Sequence, residues 1–249
     1  MKPFFASYPA LAFTALLLLG GSLQNLHAQS FCASDGQPRP VALLERFINA
    51  NCESCWSDPK TPQPGRREIA LDWVLPGDKG DDAPLSAVAS RDALARLEAL
   101  KQPVPAQTWN SASPVKAGKT GTLRVAHGLA LSGYMGASIE LKPVPQTATD
   151  QRWTAWLALV ETLPVGTEGT PVERNLVRNV LETSWNVRKQ LSKEERKRFF
   201  ESRAMSLPEG VNPQRVRVIG WVQDEQGRVL AAAQSRCTSN FPPGRPKEN

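Results

Sequence analysis

Two of the four cysteines, Cys52 and Cys55, stand three residues apart in the stretch Asn51-Cys-Glu-Ser-Cys55. That spacing lets two sulfurs meet, so the pair can hold a local disulfide and pass it to another thiol. The remaining cysteines, Cys32 and Cys237, lie near the two ends of the chain. Four cysteines allow three pairings, and the most economical joins Cys52 to Cys55 and Cys32 to Cys237. The second bond would be structural. It would close a loop of about 200 residues and stabilise the fold by roughly 2–4 kcal/mol, through restriction of the unfolded chain.

Other chemistries find less support. Only two histidines occur, His27 and His127, and the first falls in a segment expected to be removed. A metal site built on several histidines is therefore excluded. A four-cysteine zinc site would require Cys32 and Cys237 to reach Cys52 and Cys55 as free thiolates, against the expected disulfides. No metal and no other cofactor is expected. A Ser-His-Asp hydrolase would have to use His127, inside the strand-like Arg-Val-Ala-His-Gly-Leu at 124–129, and the chain has no Gly-x-Ser-x-Gly elbow. His127 reads as a structural histidine. The Gly-Lys-Thr-Gly at 118–121 lacks the spacing of a phosphate loop and reads as a turn. Asp78, Asp81 and Asp82 show no regular calcium-ligand spacing and read as a solvated loop. Trp56, next to the motif, fits either a shield or partner surface for the thiols or a core position.

The N-terminus sets the compartment. Lys2 is the only charged residue before Asp35, and it precedes an apolar stretch at 10–19 that ends in small residues. This is the pattern of a secretory signal peptide, with cleavage expected after Ala28. The run is too short, and too soon followed by polar residues, for a membrane span. A periplasmic or secreted protein, off the membrane after cleavage, is the expectation, and disulfides suit that compartment.

The formal charge of the whole chain is +6, and the excess is spread out. The densest cluster, Lys-Glu-Glu-Arg-Lys-Arg at 193–198, interleaves acids with bases and reads as a solvated helix face. With neither a basic face nor a recognised motif, nucleic acid is excluded as a partner.

The elements that must position the cysteines can be read around them. Residues 41–48 form an apolar run read as a buried strand, and 67–74 alternate as a second one. Residues 77–84 are a charged loop. Val88, Leu94, Leu97 and Leu100 recur at helical spacing within 86–101. Residues 102–118 hold Pro103, Pro105 and Pro114 and are expected to be loop. Strands follow at 122–130 and 138–141 with a turn at 133–136, then at 153–162 and from 176 onward. Ser192, with Glu195 three residues on, heads a helix through a capping box. Residues 215–223 and 228–234 flank Asp-Glu-Gln-Gly and form a hairpin.

The Val-Ala-Leu-Leu-Glu-Arg-Phe run at 41–47 leads into the cysteine pair, with Asn-Leu-Val-Arg at 175–178 and a closing hairpin over 216–233. In these features the chain resembles a family of exported bacterial proteins with a thioredoxin-like fold, catalogued as domain of unknown function 1223. The resemblance implies an α/β fold: a thioredoxin-like N-terminal part followed by a mostly antiparallel β part. The corresponding division is a signal peptide at 1–28, a thioredoxin-like domain at 29–145, a β-rich region at 146–238 and a disordered tail at 239–249. It also implies a redox-active centre in which Cys52 attacks and Cys55 resolves, and a cis-proline packed on the pair, for which Pro114 is the best candidate.

Two local features bear on that centre. Pro59, Pro62 and Pro64 follow the motif closely, so any helix starting there must be very short or absent. Glu53 lies between the cysteines, and a nearby carboxylate disfavours a thiolate. Two functions stay open. One is a thiol–disulfide oxidoreductase acting on other exported proteins; the other is a non-catalytic binding or scaffold protein in which Cys52–Cys55 is a permanent staple.

Overall fold

The apolar stretch at 153–162 has no polar face, and the computed structural model shows what covers both sides of it. The structure describes residues 32–116, 121–144, 152–186 and 197–237. In chain order its strands are β1 (Cys32–Ala33), β2 (Ala42–Asn49), β3 (Glu68–Leu75), β4 (Thr108–Pro114), β5 (Thr122–Leu131) and β6 (Tyr134–Lys142). They continue with β7 (Arg152–Leu163), β8 (Arg174–Asn186), β9 (Phe199–Ser206), β10 (Val216–Gln223), β11 (Val229–Gln234) and β12 (Arg236–Cys237). The α-helices among the described residues are α1 (Glu53–Trp56), between β2 and β3, and α2 (Arg91–Ala99), between β3 and β4.

The strands form two sheets, a larger one in the order β11-β10-β7-β8-β3-β2-β4 and a smaller one in the order β12-β1-β5-β6-β9. β7 is interior to the larger sheet, and its two faces feed two cores. Trp153, Ala155, Leu157 and Leu159 pack with Val125, Ile139 and other residues of the smaller sheet. Trp156, Ala158 and Val160 join Leu43, Phe47, Trp73 and the α2 residues Ala93 and Leu97 on the other side. Continuous hydrophobicity is what a strand buried on both faces requires. The two sheets come close at Gly220 of β10, where an added Cβ would meet Val125 Cγ1 at 2.5 Å and Ile139 Cδ1 at 2.9 Å.

This architecture corrects the expected fold class. The protein is mostly β, and no α/β thioredoxin-like layer of helices covers the sheet; a second sheet and one nine-residue helix do. Strands from both sides of position 145 enter each sheet, so the parts expected at 29–145 and 146–238 are interleaved. What remains of a parallel arrangement is the β2–β3 pair and a single parallel contact between β3 and β8, at Asp72 and Leu176. The stretch at 102–118, expected as loop, contributes β4, antiparallel to β2. Its proline is tolerated because β4 is an edge strand and Pro114 is its last residue. The Ser113–Pro114 bond is not cis: the cis peptide among the described residues is Lys142–Pro143.

Several readings do match. The hairpin β10–β11 spans the expected residues. β5 and β6 pair through a turn tighter than expected, with Ser132 and Gly133 both at positive φ, the conformation a two-residue hairpin turn needs. α2 starts at Ser90, whose hydroxyl accepts the Ala93 N–H at 3.2 Å. The signal peptide at 1–28, residues 118–120 of the glycine-bounded turn, the helix headed by Ser192 and the tail at 239–249 lie outside the described residues.

Candidate functional site

The chain leaves β2 at Asn49 and turns at once. Asn49 C=O accepts the Cys52 N–H at 2.9 Å, and Cys52 C=O accepts the Cys55 N–H at 3.2 Å. α1 then lasts four residues, as the proline run that follows it requires. Within this turn Cys52 and Cys55 are joined by a disulfide, and Cys32 is joined to Cys237. Both pairings are those expected.

A buried set of charges holds the turn in place. Trp56, the last residue of α1, is buried and donates from Nε1 to the Glu168 carbonyl at 2.8 Å. It packs in a small core with Ile48, Val74, Leu163 and Leu176, which settles its place as core. The Arg174 guanidinium lies 5.1 Å over its ring. From the same head group Arg174 Nη2 donates to the carbonyls of Cys55 (3.2 Å) and Trp56 (2.8 Å) and to Thr61 Oγ1 (3.1 Å). A single arginine thus satisfies the free carbonyls at the end of a helix too short to do so itself. Burial pushes the Arg174 guanidinium down from its usual range, and Asp72 pushes it back up.

Asp72 is the hub of the set. Its Oδ1 accepts from Arg174 Nη1 at 3.1 Å, and its Oδ2 accepts from Arg46 Nη2 and the Asn175 N–H, each at 2.6 Å. Arg46 also donates to the carbonyls of Pro62 (2.8 Å) and Glu173 (3.1 Å). Arg46 and Asp72 alternate along their strands with Phe47 and Trp73, which face α2, so both charges point to the opposite side of the sheet. There a cavity of about 560 Å³ opens, lined by Arg46, Arg174, Lys60, Asp58, Cys55 and the β4 residue Asn110 among others.

The two cysteines, expected to attack (Cys52) and to resolve (Cys55), differ in burial. Cys52 is only 8% exposed, whereas Cys55 is partly exposed and lines the cavity. Cys52 sits in the turn between β2 and α1, and Cys55 lies within the four-residue α1 and lines the cavity together with Thr108 and Asn110 of β4. Glu53 is exposed to water, and the charges around the cavity are Arg46, Arg174 and Lys60 against Asp58 and the buried Asp72.

The second disulfide lies elsewhere, in the smaller sheet. Cys32 is paired across β1 with Cys237 of β12 on one side and with His127 of β5 on the other. The two sulfurs and a ring nitrogen of His127 lie within 4.8 Å of one another. Metal binding at a cysteine needs a thiolate, and these sulfurs are spent in the disulfide. His127 is buried, with Nδ1 2.9 Å from the Gly128 carbonyl, and burial holds its imidazole below the ordinary value. Asp78 meets Asn51 Nδ2, and Asp81 gives its carbonyl to the Ser86 hydroxyl at 2.9 Å.

Sequence reasoning missed Arg46, Asp72 and Arg174, which shape the cavity. A signal was present: Glu45, Arg46 and Asp72 are charges inside runs otherwise fit for burial, and a charge there needs a partner. Glu45 finds Arg96 of α2 through two bonds of 2.7 Å, completely buried. What could not be read was which arginine answers which carboxylate.

No family model matches the chain, and no curated protein matches it. Among solved structures, HBP35 of Porphyromonas gingivalis is similar over 85% of this chain and 79% of that chain, with 13% sequence identity and a TM-score of 0.46. Among the described residues, no helix is long and apolar enough to cross a membrane.

Proposed function

We propose that the protein is an exported, periplasmic or secreted thiol–disulfide exchange protein whose reactive bond is Cys52–Cys55. The observation that carries this reading is that the partly exposed Cys55 lines a cavity also lined by Arg46 and Arg174. The thiolate of a dithiol substrate attacks Cys55 Sγ. The Cys52–Cys55 bond breaks, and Cys52 leaves as a thiolate that takes a proton from water. The second substrate thiol, as thiolate, then attacks the substrate sulfur of the mixed disulfide and releases the Cys55 thiolate. The substrate dithiol has become a disulfide and the protein disulfide a dithiol, a two-electron exchange. The positive surroundings favour charge on sulfur during these steps.

Single-cysteine variants test the assignment. Cys52→Ser keeps the Cys55 thiol at the cavity and is expected to form a mixed disulfide with glutathione disulfide faster than Cys55→Ser, whose remaining thiol is buried. Equal inertness of both variants would contradict exchange. It would favour the second reading, a binding or scaffold protein in which the bond is a staple. The burial of Cys52 and the locking of α1 by Arg174 support that alternative.

A further inference from the structure

Arg46 and Arg174 are both buried and share one carboxylate, Asp72. Two guanidiniums against one carboxylate leave a positive charge in the wall of the cavity, and Asp58 at the rim answers it only at longer range. Lys60, also on the rim, adds a further positive charge. Arg46 is 1% exposed, yet its Nε has no hydrogen-bond partner among the described residues. A buried N–H on a charged group without an acceptor is costly, so the guanidinium charge behind the cavity wall is incompletely answered by the protein. Beside it runs β4, whose outer edge pairs with no other described strand; an extended peptide can lie along such an edge. Thr108 and Asn110 of β4 line the same cavity as Cys55.

From this arrangement we infer that the cavity binds the carboxylate of an extended peptide, with the exposed Lys60 as its donor, the buried Arg46–Arg174 charge behind it and the β4 edge as its rail. The carboxylate belongs either to an acidic side chain or to a C-terminus; both offer the same paired oxygens, which guanidinium and ammonium groups bind strongly when water is excluded. The inference rests on the exchange reading only in delivering a peptide thiol to Cys55. Binding of the carboxylate itself does not need that reading.

The test uses the oxidised full chain and short capped peptides with serine in place of cysteine, so that no exchange can occur. One peptide carries a central glutamate, one a free C-terminus, and one is neutral throughout; each is titrated by NMR. The expected result is saturable binding of a carboxylate peptide, with the amide shifts of Cys55 and Asn110 moving and the neutral peptide at least about tenfold weaker. Whichever of the two anionic peptides binds tighter identifies the source of the carboxylate. Lys60→Glu, a change at an exposed position, is expected to weaken the anionic peptide by about tenfold or more and to leave the neutral one unchanged. Equal binding of all three peptides, or indifference to Lys60→Glu, would overturn the proposal. Cysteine-containing versions then separate the two readings. Binding without exchange would overturn the exchange reading alone, and exchange at a rate indifferent to the carboxylate of the tighter-binding peptide would overturn the carboxylate site alone.

Discussion

The two disulfides differ in what they hold together. Cys32–Cys237 spans a sequence separation of 205 and ties β1 to β12 in the smaller sheet. Cys52–Cys55 spans three residues and ties nothing that β2 and α1 do not already hold close. Disulfides typically contribute roughly 2–4 kcal/mol, and the chain-entropy relation places the long link above that range at about 5 kcal/mol and the short one at its lower end, about 2 kcal/mol. A bond that stabilises little can be opened with little loss, and it is this bond that faces a cavity. The comparison teaches that position in the fold, rather than the chemistry of the cystine, distinguishes the two links; on the exchange reading proposed above, it separates a structural link from a reactive one.

The largest effect should come from breaking the long link. Cys32→Ser with Cys237→Ser is expected to lower the unfolding free energy by about 5 kcal/mol, measured by urea denaturation of the oxidised protein. A loss of less than half that would show that sheet pairing alone holds the two ends.

Next in size is Arg174→Met. This removes the donors for the Cys55 and Trp56 carbonyls and one of the two guanidiniums on Asp72. The expected cost is about 3 kcal/mol, since Asp72 keeps Arg46. The same variant should make the turn around α1 exchange its amide hydrogens faster. If those amides stay protected, the disulfide and not the charge set holds the turn, and the contrast between the two bonds shrinks.

Cys52→Ser with Cys55→Ser sharpens the comparison from the other side. The expected cost is about 2 kcal/mol, again by urea denaturation, with the Cys32–Cys237 bond intact. A cost equal to that of losing the long link would identify Cys52–Cys55 as a staple.

The smallest effect is one of pH and belongs to the long link's neighbour. Burial holds the His127 imidazole below its ordinary value of about 6.5, while the unfolded chain titrates normally. Between the two values the unfolded state binds more protons, so stability falls as the pH drops through 6.5 and is undiminished above it. Urea midpoints at pH 7.5 and 5.5 are expected to differ in the wild type and to converge in His127→Asn. No convergence would move the pH sensitivity to another group.

Much of this was legible in the residues. The cystine pairing followed from position alone, the brevity of α1 from Pro59, Pro62 and Pro64, and most strands from alternation or from apolar runs. The fold class was not legible, because an apolar strand such as β7 reads the same whether a helix or a second sheet covers it. β4 was hidden because Pro103, Pro105 and Pro114 mark loops, and an edge strand ending in proline carries no contrary signal. The exposure of Cys55 over Cys52 depends on how the chain turns off β2, which neighbouring residue types do not specify. The hub at Asp72 joins residues 46, 72 and 174, and no local spacing links them.

The most direct test of the central claim is a redox titration of the whole protein against glutathione, with alkylated thiols assigned by mass spectrometry. The account predicts that Cys52 and Cys55 become labelled together at a potential within about −120 to −270 mV, while Cys32 and Cys237 stay protected below about −300 mV. If Cys52–Cys55 also stays oxidised below about −300 mV, or if the long link opens first, the division between a reactive and a structural bond is contradicted.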